Sequence, residues 1–303
     1  MQREIRTKIQ AEAAGRQLDL WLAARFTYHS LELWREQIAA GKILCNGAIV
    51  EPDLILSKGD EVAYLPPMRE EPEVDTNIAI IYEDEDLLAV NKPANLPCHP
   101  GGCFFNHTLW ALLRETHPDA RLINRLDRET SGVVLLAKSK AVAGQLGRQF
   151  EQREVNKEYL VLVEGEFPPE VVANGFLDSD PESEVKKKRR FRREGEGEAC
   201  EMMFTCFDVR DGLSLLKVQL GTGRMHQIRA TLCSLGYPVV GDKIYGVDDT
   251  IFLRFIGNDM TAEDHQRLRL PTQALHAWRL GICHPTTEEK VVFEAPAPDW
   301  RLG

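Results

Sequence analysis

Arg125-Leu126-Asp127-Arg128-Glu129-Thr130-Ser131-Gly132 runs without a break into Val133-Val134-Leu135-Leu136-Ala137. A segment crowded with polar residues ends on glycine, and five apolar residues follow. That is the pattern of a loop handing over to a buried strand. Loops held by a rigid scaffold concentrate binding and catalytic groups. Asp127 lies between two arginines, and opposite charge nearby keeps a carboxylate ionised. An ionised aspartate in a cleft can act as nucleophile or base. By residue type alone it can equally cap a turn and pair with Arg125 or Arg128.

Working outward, the flanking segments read as a sheet-rich domain starting near Ile78. Ile78–Tyr82 and Leu87–Val90 are β-rich runs around an Asp84-Glu85-Asp86 turn. Thr108 to Thr116 is a predicted helix with Leu109, Leu112 and Leu113 inward. Ser139 can cap another helix, whose Val142, Leu146 and Phe150 recur every four residues. Lys157-Glu158-Tyr159-Leu160-Val161-Leu162-Val163 is too apolar for an edge strand and belongs in the middle of a sheet. Leu213 to Leu220 reads as a further strand.

Residues 178 to 198 break the pattern. Lys186-Lys187-Lys188-Arg189-Arg190-Phe191-Arg192-Arg193, flanked by acidic residues, predicts a solvated loop or protruding hairpin. At the other end, residues 14 to 67 form a small module. Leu18, Leu22 and Phe26 line one helix, and Ser30 caps a second carrying Leu31, Trp34 and Ile38. Asn46-Gly47 joins two short strands, and Gly59 to Leu65 adds another. Residues 68 to 77 are acidic, hold one of the chain's prolines and read as a linker, leaving 78 to 303 as the larger domain.

The 303 residues are 43% hydrophobic and 28% charged, as expected of a globular protein with a sizeable core. No run of eighteen apolar residues and no signal-peptide core occur, which predicts a cytoplasmic protein with no membrane partner. The seven scattered cysteines lack ligand or disulfide spacing and read as reduced thiols; Cys98, His99 and Cys103 come nearest to a metal cluster without its spacing. A net charge of −10 argues at face value against a polyanionic partner, although a local basic patch can still bind phosphate.

The central segment resembles the catalytic motif of the RluA-type RNA pseudouridine synthases, His-Arg-Leu-Asp, two residues, then Thr-Ser-Gly. Asn124 stands where that motif has His. Asn91-Lys92-Pro93 through His99-Pro100 resembles the family's first motif, with Asn95 in place of Gly. Lys157-Glu158-Tyr159 is similar to a second signature. Gly223-Arg224-Met225-His226-Gln227-Ile228-Arg229 is similar to a third, with Met225 in place of Thr. Gly241-Asp242, Tyr245-Gly246 and Leu275-His276-Ala277 continue the likeness, and residues 14 to 67 are similar to the S4 RNA-binding fold.

The resemblance implies an α+β fold: a small S4-like α/β module, then a large mixed, mainly antiparallel sheet with flanking helices. It implies isomerisation of uridine in RNA, with Asp127 as the indispensable group, Arg229 its partner and Tyr159 stacked on the flipped base. Arg125 would fill the gap left in the base stack. Arg16 and Arg35 of the module, and Lys187, Arg189 and Arg192 of the basic run, are candidate phosphate contacts. No cofactor or metal is expected, and the protein is expected to act as a monomer. Large-subunit ribosomal RNA is the expected target, with transfer RNA as the alternative. Two rivals share these residues: a hydrolase that releases the base, which ordinarily needs a second carboxylate, and a non-catalytic RNA-binding or ribosome-assembly protein.

Overall fold

Trp34 and Ile38, on one face of a nine-residue helix, anchor the smaller of two units in the computed structural model. That model describes residues 4–66 and 70–300. Residues 67–69, where the expected module meets the expected linker, lie outside the described residues, as do 1–3 and 301–303. The chain divides between Glu71 and Pro72. The first unit runs β1 (Ile5–Lys8), α1 (Leu18–Arg25), α2 (Leu31–Ala39), β2 (Ile43–Cys45), β3 (Ala48–Ile49) and β4 (Glu61–Tyr64). Its antiparallel sheet has the order β1-β4-β2-β3. Leu18 and Leu22 of α1 pack with Trp34 and Ile38 of α2 on Ile43 and Val62. Ser30 caps α2 by accepting from the Leu33 N–H. Asn46 and Gly47 both take positive φ, 52° and 81°, as a two-residue hairpin turn requires. Phe26 falls just past the end of α1 and turns its ring edge-on to Trp21 at 5.7 Å. β1 lies upstream of the expected module, where its single isoleucine gave no strand signal.

The second unit contains β5 (Ala79–Glu83), β6 (Leu87–Lys92), α3 (Leu109–Leu113), β7 (Arg121–Leu122), β8 (Ser131–Ala137), α4 (Lys140–Glu151) and β9 (Asn156–Glu164). It continues through β10 (Glu170–Ser179), β11 (Arg189–Arg192), β12 (Glu198–Arg210), β13 (Leu213–Leu220), α5 (Gln227–Ser234), α6 (Thr250–Gly257), α7 (Ala262–Leu268), β14 (Leu275–Cys283) and β15 (Lys290–Glu294). Eleven strands form one sheet with the path β11-β10-β12-β13-β9-β14-β8-β6-β5, plus β15 on β14 and β7 on β8. All pairings are antiparallel except β8 with β14, which meet through Ser131–His276 and Gly132–Ala277. The fold is thus the mixed, mainly antiparallel sheet with flanking helices that the sequence implied. Among the described residues no helix is long and apolar enough to cross a membrane.

Apolar positions on both faces hold this sheet under its helices. Ile228 and Leu232 of α5 pack on Val161, Phe204 and Val218. Val142 and Leu146 of α4 cover Leu87 and Leu135, and Leu109 and Leu113 of α3 cover Leu88 and Val134. β9 lies between β13 and β14, the central place its apolar run requires.

The basic run departs from the expected solvated segment. Arg189–Arg192 is a strand on β10, and its Phe191 is buried. Arg189 N–H donates to the Tyr245 hydroxyl and Phe191 N–H to Ser234 Oγ, so the hairpin is docked on its neighbours and does not protrude. One buried aromatic with backbone donors already partnered outweighs the solvation of the surrounding cations.

Candidate active site

The loop before β8 is held by contacts that explain its residue types. Asn124 Nδ2 donates to the Val133 carbonyl at 3.2 Å, and its Oδ1 accepts from Leu135 N–H at 2.8 Å. The residue that departs from the family motif is therefore a clamp between loop and strand. Cys98 Sγ sits against the Leu126 backbone, accepting from its N–H and donating to its carbonyl. Buried Lys92 donates to the carbonyls of Pro93, Leu96 and Arg128, tying the first motif to the loop. Thr130 accepts from Gln273, and Ser131 meets His276 Nδ1 at 2.9 Å across the β8–β14 junction. Gly132 has φ +114°, and a Cβ there would lie 2.2 Å from the Ala277 carbonyl oxygen. Only glycine fits.

Asp127, at the tip of this loop, is met by Arg229 in the first turn of α5. Arg229 Nη1 donates to Asp127 Oδ2 at 2.6 Å. The same guanidinium grips Asp242 through Nε at 2.6 Å and Nη2 at 2.9 Å. Asp242 Oδ1 also accepts from the N–H groups of Ile244 and Tyr245. Arg229 and Asp242 are buried, whereas 35% of the Asp127 side chain is exposed. Burial alone would raise the Asp127 pKa, but the Arg229 charge overrides it and holds the carboxyl below the usual carboxylate range. Arg125 and Arg128 do not pair with Asp127. Arg125 donates to His99 Nε2, and Arg128 lies over Phe104 and Phe255 while meeting Glu129 at 3.5 Å.

His226 approaches Asp127 Oδ1 through Nε2 at 3.9 Å, while its Nδ1 lies 2.9 Å from the Tyr245 hydroxyl. Burial, reinforced by the Arg229 charge, pushes its pKa down to about 4, so the ring is neutral at ordinary pH. The Tyr245 hydroxyl accepts from Arg189 N–H and can donate to Nδ1, which puts the imidazole proton on Nε2, facing Asp127. His226 takes a left-handed backbone, φ 56°, directly before α5. Gln227 fixes that approach, its Oε1 accepting from Thr222 Oγ1 and Arg224 N–H.

These residues surround a cleft of about 120 Å³ lined by Asp127, Tyr159, Leu220, Arg224, His226 and Arg125, among others. Tyr159 stands on central β9, half-buried, and among the described residues its hydroxyl makes no hydrogen bond. A strand tyrosine that serves packing alone ordinarily tethers its hydroxyl, and here the tether is missing. Met225 is half exposed, so that departure leaves the packing intact.

The structure brings Asp127, Tyr159, Arg229 and Arg125 to one cleft. Lys187 stands near it, over the Phe252 ring at 4.2 Å; burial and the Arg229 charge lower its pKa while Asp127 raises it. Arg189 and Arg192 instead pair with Glu198 and Asp178, and Lys188 pairs with Asp249 at 2.9 Å. In the first unit, Arg35 is tied to buried Asp19 at 2.8 Å, whereas Arg16 lines a pocket of about 440 Å³ with Lys8, Trp21 and Arg25. Sequence reasoning assigned no role to Asp242, His226 or Tyr245. Their one signal was position inside family-like motifs.

A family profile described as RNA pseudouridylate synthase matches residues 86–234. An uncharacterized RNA pseudouridine synthase from Aquifex aeolicus is 31% identical over 307 residues, covering 96% of this chain and 93% of that one. A ribosomal large subunit pseudouridine synthase D from Xylella fastidiosa is 32% identical over 307 residues, covering 97% and 89%. The chain belongs to the RluA-type RNA pseudouridine synthases. Human RNA pseudouridylate synthase domain containing 1 has a similar structure, with a TM-score of 0.59 at 27% identity over 76% of this chain and 87% of that one. This pseudouridine synthase is accordingly an isomerase acting on RNA.

Proposed function

We propose that the enzyme isomerises uridine in large-subunit ribosomal RNA, acting as a cytoplasmic monomer with Asp127 as the reacting carboxylate. The observation that carries this reading is the Arg229 guanidinium, which keeps Asp127 ionised and aimed at a cleft walled by Tyr159. In the isomerisation the N1–C1′ bond breaks, the base turns within the cleft, and C1′ rejoins at C5. C5 gives up its proton and N1 gains one, so no outside reactant is needed. A carboxylate held ionised is competent as nucleophile or base for the opening step. Tyr159 offers the flipped base an aromatic face, a contact worth about 1–3 kcal/mol, and Arg125 at the rim takes the vacated place in the stack.

The hydrolase alternative needs a second carboxylate to direct water. Asp242 is the other carboxylate at hand, but it is fully buried with both oxygens engaged by Arg229 and backbone N–H groups. The ribosomal target is supported by relatives called ribosomal large subunit pseudouridine synthase D in Xylella fastidiosa and elsewhere. Two helices on a four-stranded sheet and an exposed Arg16 support reading the first unit as an S4-like RNA-binding module. Mapping pseudouridines in total RNA from cells with and without the protein tests the assignment. A site lost from large-subunit ribosomal RNA is the expected result; loss confined to transfer RNA overturns the target, and no lost site overturns the activity on cellular RNA.

A further inference from the structure

Arg125 lines two spaces. One is the cleft of Asp127; the other is a groove of about 690 Å³ walled by Trp110, Arg114, Arg121 and His99. That volume falls in the range usual for ligand sites, about 300–1,000 Å³. Trp110 and Arg114 come from α3 and its C-cap, and the Arg114 guanidinium lies 5.0 Å from the Trp110 ring centre. Arg121 opens β7, and Asp119 is the one carboxylate of the lining. Arg114, Arg121 and Arg125 are exposed, and among the described residues none of them forms an ion pair. Lys188, Arg189 and Arg192 of the basic run, by contrast, are matched by acids of the fold. In a chain of net charge −10, three unmatched arginines around a half-buried tryptophan are a local positive surface with an aromatic face.

His99, on the groove side, holds the arginine that the two spaces share. Its Nε2 accepts from Arg125 Nη1 at 3.0 Å, and burial together with the Arg125 charge holds its pKa below the ordinary histidine value. A neutral imidazole thus supports the guanidinium between cleft and groove. We infer that the groove seats a neighbouring nucleotide of the same RNA strand, with its base against Trp110 and flanking phosphates on Arg114 and Arg121. The inference rests on the reading of RNA as substrate and adds a second nucleotide site to it. Stacking on an aromatic side chain tolerates any base, whereas phosphate contacts give affinity that falls with salt. The groove therefore supplies grip on the strand beside the target and leaves choice of uridine to other contacts.

The test uses the full chain and a fluorescent single-stranded oligouridylate, with affinity read by anisotropy across a salt series. Trp110→Ala should weaken binding about 5- to 160-fold, the range for one lost base–aromatic stack, and Trp110→Phe should recover most of it. Arg114→Gln with Arg121→Gln should flatten the salt dependence by about 1.4 in log–log slope, for two single-strand phosphate contacts. Those two arginines are exposed, so the double variant still decides between the outcomes where Trp110→Ala impairs folding. An unchanged affinity and slope in the double variant overturns the groove. Pseudouridine mapping with the wild-type protein stands apart from these affinities: its failure would sink the target assignment and leave the groove result standing.

Discussion

Asp127 and Asp242 share one guanidinium, and the sharing separates chemistry from folding. Asp127→Asn removes the ionised oxygen but leaves Arg229 gripped by Asp242. Tritium release from C5-labelled uridine in RNA should fall below about 1% of wild type, since such groups commonly contribute at least 10²-fold. Thermal stability should barely change. Arg229→Met is different, because it strands a fully buried Asp242. Breaking a buried pair this way costs about 3–5 kcal/mol, so both activity and melting temperature should collapse. Arg229→Lys should recover part of the stability and little activity, because an ammonium cannot bridge two carboxylates in one plane. At Tyr159 the untethered hydroxyl predicts that Tyr159→Phe keeps most activity while Tyr159→Leu loses the stack. Equal loss in both variants would transfer the role to the hydroxyl.

Gly132 sets the junction of β8 and β14, the one parallel pairing in the large sheet. Gly132→Ala would force a Cβ against the Ala277 backbone at positive φ, and should cost at least about 2 kcal/mol of stability by denaturant titration. An unaffected midpoint would show that the junction can open without penalty. Elements with a local signal were legible: Ser30, Thr108 and Ser139 announced their helices, and Leu213–Leu220 is a strand as its apolar spacing indicates. β10 and β12 were not, because their exposed ends carry Glu170, Asp178, Glu198 and Arg210 and blur the alternation. The meeting of Asp127 with Arg229 spans 102 residues and became legible only through motif likeness. Asp242 carried no mark of its own chemistry, since a carboxylate bridging from 13 residues away looks like any loop aspartate. Charge density misled in the basic run, where pairing with acids on β10 and β12 decides the outcome. Replacing Arg189 and Arg192 with Gln should therefore leave the salt dependence of RNA binding nearly unchanged. Lys187→Gln, beside the cleft, is the change in that run expected to flatten it.

Two histidines of the second unit give the molecule a pH dependence. His226 and His276 are both buried, with pKa values pushed down to about 4. The unfolded chain takes up protons on these groups first, as pH falls below about 6.5. Stability should therefore be full above that value and decline toward pH 4, by on the order of 3 kcal/mol per histidine. Urea titrations at pH 7 and pH 5 would check it, and equal midpoints would place both rings in contact with water. A fragment beginning at Pro72 retains Val74 in its core and the Pro72 carbonyl contact with His107. It should fold and turn over RNA with a raised KM if the first unit supplies affinity; an unchanged KM would remove that unit from RNA recognition. The internal matching of Lys188, Arg189 and Arg192 also bears on how the enzyme searches. With a net charge of −10, a strand that lands away from a local cluster of unmatched cations meets a repelling surface and departs quickly. Dwell time on irrelevant RNA should therefore be short.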